Sequence, residues 1–318
     1  METVADLPEL AALPDVGLAP ARGAAAESAP SRLADFYELT KPRMNFLVVV
    51  TTMVGFYMAM SRHFADWVLL AHTLIGTAMA AAGASVLNQY VERGHDALMN
   101  RTSNRPLPAG RISPVEALLL GVLLSAGGTL YLTTLVNALT ATLGAITIAT
   151  YVFLYTPMKR WTTLCTVVGA VPGALPPMMG WTAATDSLSP EAWALFGILF
   201  FWQMPHFLAI AVLYREDYAR GGFKMLPVVD EDLFVTGRQI VVYGLALIPV
   251  SLLPVALRMA GPAYLLAAVA LGLAFLGFGI NCAVRKRRSD ARWLFLVSIV
   301  YLPVLLGAMM FDRLARGA

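Results

Sequence analysis

Charge is what this sequence has least of. Only 14% of its 318 residues are Asp, Glu, Lys or Arg, where soluble domains carry about a quarter. With 58% of the residues hydrophobic, that shortage excludes an ordinary water-soluble globule and makes a bilayer the natural solvent. Cysteine is almost missing too. Cys165 and Cys282 fall inside or at the end of apolar runs, which excludes a disulfide framework and a thiolate metal site and leaves two packing residues. The net charge of +3 is small, and its charges sit in loops between apolar segments, so nucleic acid is excluded as a partner. Met1 to Pro30, rich in Ala and Pro and slightly acidic, does not show the basic start and apolar run of a secretory signal and is expected to be a disordered tail.

What is present is long apolar runs. Crossing the hydrocarbon core takes about 20 apolar residues. Segments near that length lie at roughly Met44–Ser61, Trp67–Leu87, Val115–Leu135, Leu139–Thr156, Leu164–Ala183, Ala192–Tyr214, Ile240–Leu257, Ala263–Ala283 and Trp293–Phe311. The expected fold is therefore an all-α, polytopic integral membrane bundle of about nine helices, forming a single domain over residues 44–318. Residues 31–43 are expected to form an amphipathic helix on the membrane surface, with Ser31 as its cap and Leu33, Phe36, Tyr37 and Thr40 recurring at helical spacing. The fifth span holds Pro172, Gly173, Pro176 and Pro177, so it is expected to be irregular and covered by neighbours. With a cytoplasmic N-terminus, all Lys and Arg but Arg62, Arg258, Arg313 and Arg316 fall inside, a bias that the positive-inside rule turns into an orientation with the C-terminus outside.

Chemistry collects in two long loops on that cytoplasmic side. The second span runs into Asn88-Gln-Tyr-Val-Glu92-Arg-Gly-His-Asp96, where Asn88, Glu92 and Asp96 stand at i, i+4 and i+8 and share one helical face. Oxygen ligands converging there suit a hard divalent cation such as Mg²⁺, which keeps waters and bridges to substrate phosphates. Solvated loop charge is the competing reading. Arg93, Arg101, Arg105 and Arg111 surround the acids, and acid with base suggests metal with phosphate. The second loop, Tyr214-Arg-Glu-Asp217-Tyr-Ala-Arg220-Gly221-Gly-Phe-Lys224, mixes the same ingredients. Asp217 is placed to hold a cation, and Arg220 and Lys224 to meet a diphosphate, although taken alone an ordinary charged turn is the plainer reading.

Further polar groups stand at the same face or at lipid depth. Tyr155-Thr-Pro-Met-Lys159-Arg160 supplies two cations that act either on phosphate or as snorkelling anchors. Gln203 and His206 in the sixth span are costly unless they face the protein interior. A continuous helix would carry His206 and Asp217 on one face, about 16 Å apart. His206 then either lines a cavity, as a haem ligand or polarising group, or bonds a neighbouring helix. His95 reads as a surface side chain, and Asp230-Glu231-Asp232 as solvated charge.

These pieces, in this order, resemble the UbiA superfamily of intramembrane prenyltransferases over roughly Leu39 to Pro227. The carriers are Leu39-Thr-Lys-Pro-Arg43, Asn88…Asp96…Met99-Asn-Arg101-Thr…Arg105-Pro-Leu, Tyr155-Thr…Lys159-Arg160, and Trp202-Gln-Met-Pro-His206-Phe…Asp217-Tyr…Gly221…Met225-Leu-Pro227. The Pro-His-Phe and Met-Leu-Pro elements look like the haem branch rather than the quinone or chlorophyll branches. The resemblance implies a bundle with a central cavity, farnesyl diphosphate as donor and haem B as acceptor, with haem O as product. It implies Mg²⁺ held by Asn88, Glu92, Asp96 and Asp217, with Lys159 and Tyr155 completing the catalytic set. Arg43, Arg101, Arg105, Arg160, Gln203, His206, Arg220 and Lys224 are the implied substrate-binding residues. A bacterial inner membrane, and association with haem A synthase or terminal-oxidase assembly proteins, follow from the same resemblance. Glu92 stands where Asp is usual, and the second loop aligns only one acid. A transfer to a quinone precursor or chlorophyllide is the competing activity. A proton-coupled transporter using Glu92, Asp96 and His206 is the competing class, against which stands the lack of an inverted repeat.

Overall fold

A computed structural model describes residues 31–61 and 63–316 of the chain, so the expected tail over 1–30 lies outside the described residues. Among those described, every regular element is helical. The first, α1 (Arg32–Leu39), is shorter than the surface helix expected over 31–43. The reason is local: Pro42 bars its predecessor from continuing a right-handed helix, and Lys41 takes a left-handed backbone with φ 48°. Pro42 then opens α2 (Pro42–Ala59). Leu33 and Tyr37 of α1 are exposed, whereas Leu39 is buried in a cluster with Val86, Leu107, Ile112 and Ala117. Arg111 Nε donates to the buried Asp35 across 2.8 Å and pins α1 to the distant loop over residues 97–113.

The remaining long helices run up and down. They are α3 (Phe64–Asp96), α4 (Pro114–Leu135), a rod built of α5 (Ala138–Ala149), a π-helical turn (Thr150–Tyr155) and α6 (Thr156–Met158), then α7 (Cys165–Thr185) and α8 (Pro190–Leu213). After the short α9 (Arg215–Arg220) and α10 (Leu226–Val229) come α11 (Phe234–Ala256), α12 (Pro262–Arg285) and α13 (Arg288–Arg316). Ser113 and Glu116 cap α4 reciprocally, which stops the preceding turns and starts the helix. Asp230 is likewise a cap and not the solvated charge expected: its Oδ2 accepts from Thr236 N and Oγ1 at 2.6 and 2.7 Å, anchoring the start of α11.

By length and composition, seven described helices can cross a membrane: Phe64–Asp96, Pro114–Leu135, Ala138–Met158, Pro190–Leu213, Phe234–Ala256, Pro262–Arg285 and Arg288–Arg313. The protein is thus an integral, multi-pass membrane protein. The expected count of nine is not reached on this measure. α2 loses apolar character to Pro42, Arg43 and Asn45, and α7 to its prolines and glycines. α7 also departs from expectation in being helical throughout despite Pro172, Pro176 and Pro177. It is tolerated because α7 is largely buried against α2, α8 and α5.

Lipid offers no hydrophobic drive for helix association, so close approach of backbones has to do that work. At the α2–α7 crossing, a Cβ on Gly55 would strike the Pro177 carbonyl and one on Gly180 the Thr52 carbonyl. Gly83 and Gly128 play the same part between α3 and α4, against Ser125 and Ala80. The alternating direction gathers the start of α2, the end of α3, α6 and the end of α8 at one end of the bundle.

Candidate active site

About two and a half turns of α3 continue past the expected second span, so Asn88, Glu92 and Asp96 do line one helical face, and they are 1%, 4% and 1% exposed. Charges that deep need partners. Lys159 Nζ lies 2.8 Å from Glu92 Oε1, a contact aligned for charge more than for a hydrogen bond. Arg105 Nη1 donates to Asp96 Oδ2 at 2.8 Å, and Lys41 Nζ to Asn88 Oδ1 at the same distance. Asn88 Nδ2 donates to Thr156 Oγ1 at 3.0 Å, which fixes the amide's orientation. Among the described residues, no three His, Cys, Asp or Glu side chains form a ready metal-holding group. The acids and bases stand as one layer in which each buried carboxylate turns to a cation.

Lys41 was not among the residues singled out from sequence; the neighbouring Arg43 was. Arg43 is exposed on the first turn of α2, while the left-handed backbone turns Lys41 inward. Burial, joined by the Arg105 guanidinium, pushes its pKa down to about 7. For Lys159 burial also works against the charge. There the Glu92 carboxylate wins and holds the ammonium well above the ordinary lysine range. The signal for Lys41 was the Lys-Pro pair itself.

The π-helical turn positions the aromatic part of the site. One extra residue in that turn re-registers the rod, so Tyr151 and Tyr155 stack at 5.5 Å between centroids and Lys159 Nζ sits 4.5 Å from the Tyr155 centroid. Gly169 of α7 leaves room for the Tyr155 ring, which a Cβ there would meet at 2.6 Å. Tyr151 OH reaches Asn88 Oδ1 at 3.4 Å.

The second loop packs onto the first. Asp217 is buried, pairs with Arg220, and accepts from the Asn100 N–H at 3.3 Å. Arg101 lies over the Tyr214 and Tyr218 rings at 4.7 and 5.4 Å. Lys224 contributes through its backbone: its N–H donates to Lys159 O at 2.7 Å, while the side chain is exposed. Arg160 keeps a buried Nε that makes no hydrogen bond. His95 is not the surface side chain expected; its Nδ1 lies 2.7 Å from Gly221 O and its ring packs on Phe223.

The sixth span is handled differently from the expectation. Its helix stops at Leu213 and restarts at Arg215, so no continuous face joins His206 to Asp217. His206 Nδ1 instead meets Ser298 Oγ at 2.6 Å, with the ring between Trp202 and Phe295 at 5.0 and 5.2 Å, so it bonds a neighbouring helix. Gln203 is buried toward α7, where its Oε1 occupies the space left by Gly173. Both cysteines are buried free thiols.

A helical membrane bundle with acids, bases and tyrosines layered at one end defines a class, and comparison with known proteins agrees. Residues 48–302 match the UbiA prenyltransferase family, and the chain belongs to that family. It is 48% identical over 290 residues to the protoheme IX farnesyltransferase of Solibacter usitatus, covering 88% of this chain and 99% of that one. The protoheme IX farnesyltransferase of Myxococcus xanthus is 44% identical over 294 residues, covering 92% and 99%. In fold, the chain is similar to a structure of digeranylgeranylglyceryl phosphate synthase, with TM-score 0.74, 15% identity and coverage of 89% and 99%. It is also similar to a UbiA homologue from Archaeoglobus fulgidus bound to GPP and Mg²⁺, with TM-score 0.57, 16% identity and coverage of 86% and 99%.

Proposed function

We propose that this prenyltransferase moves a farnesyl group from farnesyl diphosphate to a vinyl group of haem B, giving haem O, at the inner membrane of a bacterium with the charged layer facing the cytoplasm. The observation that carries the site is the pairing of Glu92, Asp96 and Asp217 with Lys159, Arg105 and Arg220. Such pairs are exchangeable: a metal diphosphate brings both signs of charge, so the acids turn to the metal and the bases to the phosphates. The acceptor rests on the name shared by relatives that are 42–48% identical over most of this chain.

Hard oxygen donors, buried at one end and each balanced by a cation, fit Mg²⁺, and Asn88, Glu92, Asp96 and Asp217 would hold it. When bound, the ion neutralises charge on the departing pyrophosphate. Lys41, Arg105, Lys159 and Arg220 add positive charge where the allylic C–O bond breaks, the usual logic of preorganised electrostatic stabilisation. Tyr151 and Tyr155 present ring faces to the same layer, suited to positive charge on the allyl group. The vinyl carbon takes the farnesyl carbon, water supplies the hydroxyl, and one proton leaves. Haem A synthase and terminal-oxidase assembly proteins are the proposed downstream partners.

The test is to incubate purified protein with haem B, farnesyl diphosphate and Mg²⁺ and to follow haem mass. A haem heavier by one farnesyl group plus one hydroxyl is expected. Turnover of a phenolic or chlorin acceptor with haem untouched would overturn the assignment.

A further inference from the structure

The two acidic stretches lie 121 residues apart between Asp96 and Asp217, and something must set their separation. Resting on the reading of Glu92, Asp96 and Asp217 as one metal–diphosphate site, we infer that His95 is a positioning residue that struts the second acidic loop against the first. Its Nδ1 lies 2.7 Å from Gly221 O. A carbonyl only accepts, so Nδ1 carries the proton and donates. Gly221 N–H in turn donates to Asp217 O at 2.9 Å, so the imidazole connects through one residue, Gly221, to the backbone that bears the second acid. His95 itself precedes Asp96 in α3, so the strut runs from one acid's neighbour to the other's backbone.

The surrounding geometry leaves the loop few other ties. Gly221 packs so close to Met99 that a Cβ would sit 3.0 Å from its Sδ, and Gly222 turns the chain with φ 70°. Phe223 lies against the His95 ring at 5.3 Å between centroids. Beyond His95, this loop is tied to the rest of the site by Lys224 N–H to Lys159 O at 2.7 Å and by the longer Asn100 N–H to Asp217 Oδ1 at 3.3 Å and Arg101 Nη2 to Tyr218 OH at 3.4 Å, with Arg101 also over the Tyr218 ring. Removing the imidazole donor therefore loosens the arm between Asp217 and Gly222 while leaving α3 intact. A bond of this kind at a metal-ligand support governs affinity more than chemistry.

Arg220 and Lys224 are exposed, so trypsin reads the loop directly in full-length, detergent-solubilised, metal-free protein. His95→Ala should speed cleavage after these two residues by about tenfold, the loss of one part-buried hydrogen bond. His95→Asn carries its amide nitrogen at the position of Nδ1 and should return cleavage to near the original rate; His95→Gln, one carbon longer, should not. In turnover, His95→Ala should raise the half-saturating Mg²⁺ concentration by a similar factor and leave that for haem unmoved. Equal cleavage of His95→Ala and the original chain, or His95→Asn cleaved as fast as His95→Gln, would overturn the strut. The cleavage readout needs no turnover. Protein that behaves as expected toward trypsin yet makes no farnesylated haem refutes the proposed function and leaves the strut standing.

Discussion

The two ends of this bundle both bury charge, and they do so in opposite ways. At the end holding the acidic loops, side chains pair with side chains: Glu92 with Lys159, Asp96 with Arg105, Asp217 with Arg220. At the other end, Asp312 accepts from the backbone N–H groups of Gly261 and Tyr264, standing in as cap for α12, and Arg313 donates to Met60 O at 2.7 Å where α2 ends. A helix terminus leaves orphan backbone groups that no ligand is needed to satisfy, so charges spent on them are fixed in place. Charges that satisfy only each other can change partners. On the proposed function, the exchangeable end is the one that takes the charged substrate.

Breaking this contrast should show first at Asp96. Asp96→Ala is expected to lower Mg²⁺-dependent transfer by about 10³-fold, measured as product formation, while membrane insertion is kept. Next comes the Glu92–Lys159 pair. Lys159→Met leaves Glu92 buried without its cation and should cost about 3–5 kcal/mol in stability along with most activity. Adding Glu92→Leu should recover most of the stability and none of the activity; recovery of both would make the pair structural.

A smaller effect comes from pH. Lys41 falls from 10.5 in the unfolded chain to about 7 in the fold, so between those values the unfolded state binds more protons. Stability of metal-free protein should therefore rise from pH 7 toward 10 and stay level in this respect below 7. Thermal midpoints in detergent will show it, and Lys41→Met should flatten the rise. Smallest is Asp312→Ala at the fixed end, expected to lose about 1 kcal/mol, the worth of a cap, with half-saturating substrate concentrations unchanged.

Much of the site was legible because its first half obeys one-dimensional rules. Asn88, Glu92 and Asp96 follow helical spacing, and α3 does run on to Asp96. Charge asymmetry and apolar length likewise give a membrane protein without any coordinates. What failed were inferences that assumed a helix continues or a side chain points by its spacing alone. His206 and Asp217 lose their shared face at Tyr214, and one left-handed residue turns Lys41 inward to Asn88, which spacing alone does not show.

Sequence by itself determined the solvent of this protein, its helical class and the inventory of acids and bases at one membrane face. These depend on composition and on periodicity, which are properties of the chain. Tertiary structure decided which acid meets which base, that His95 reaches Gly221, and that His206 turns to Ser298. Such pairings join residues up to 126 positions apart, and distance in space between them is fixed only when the helices pack.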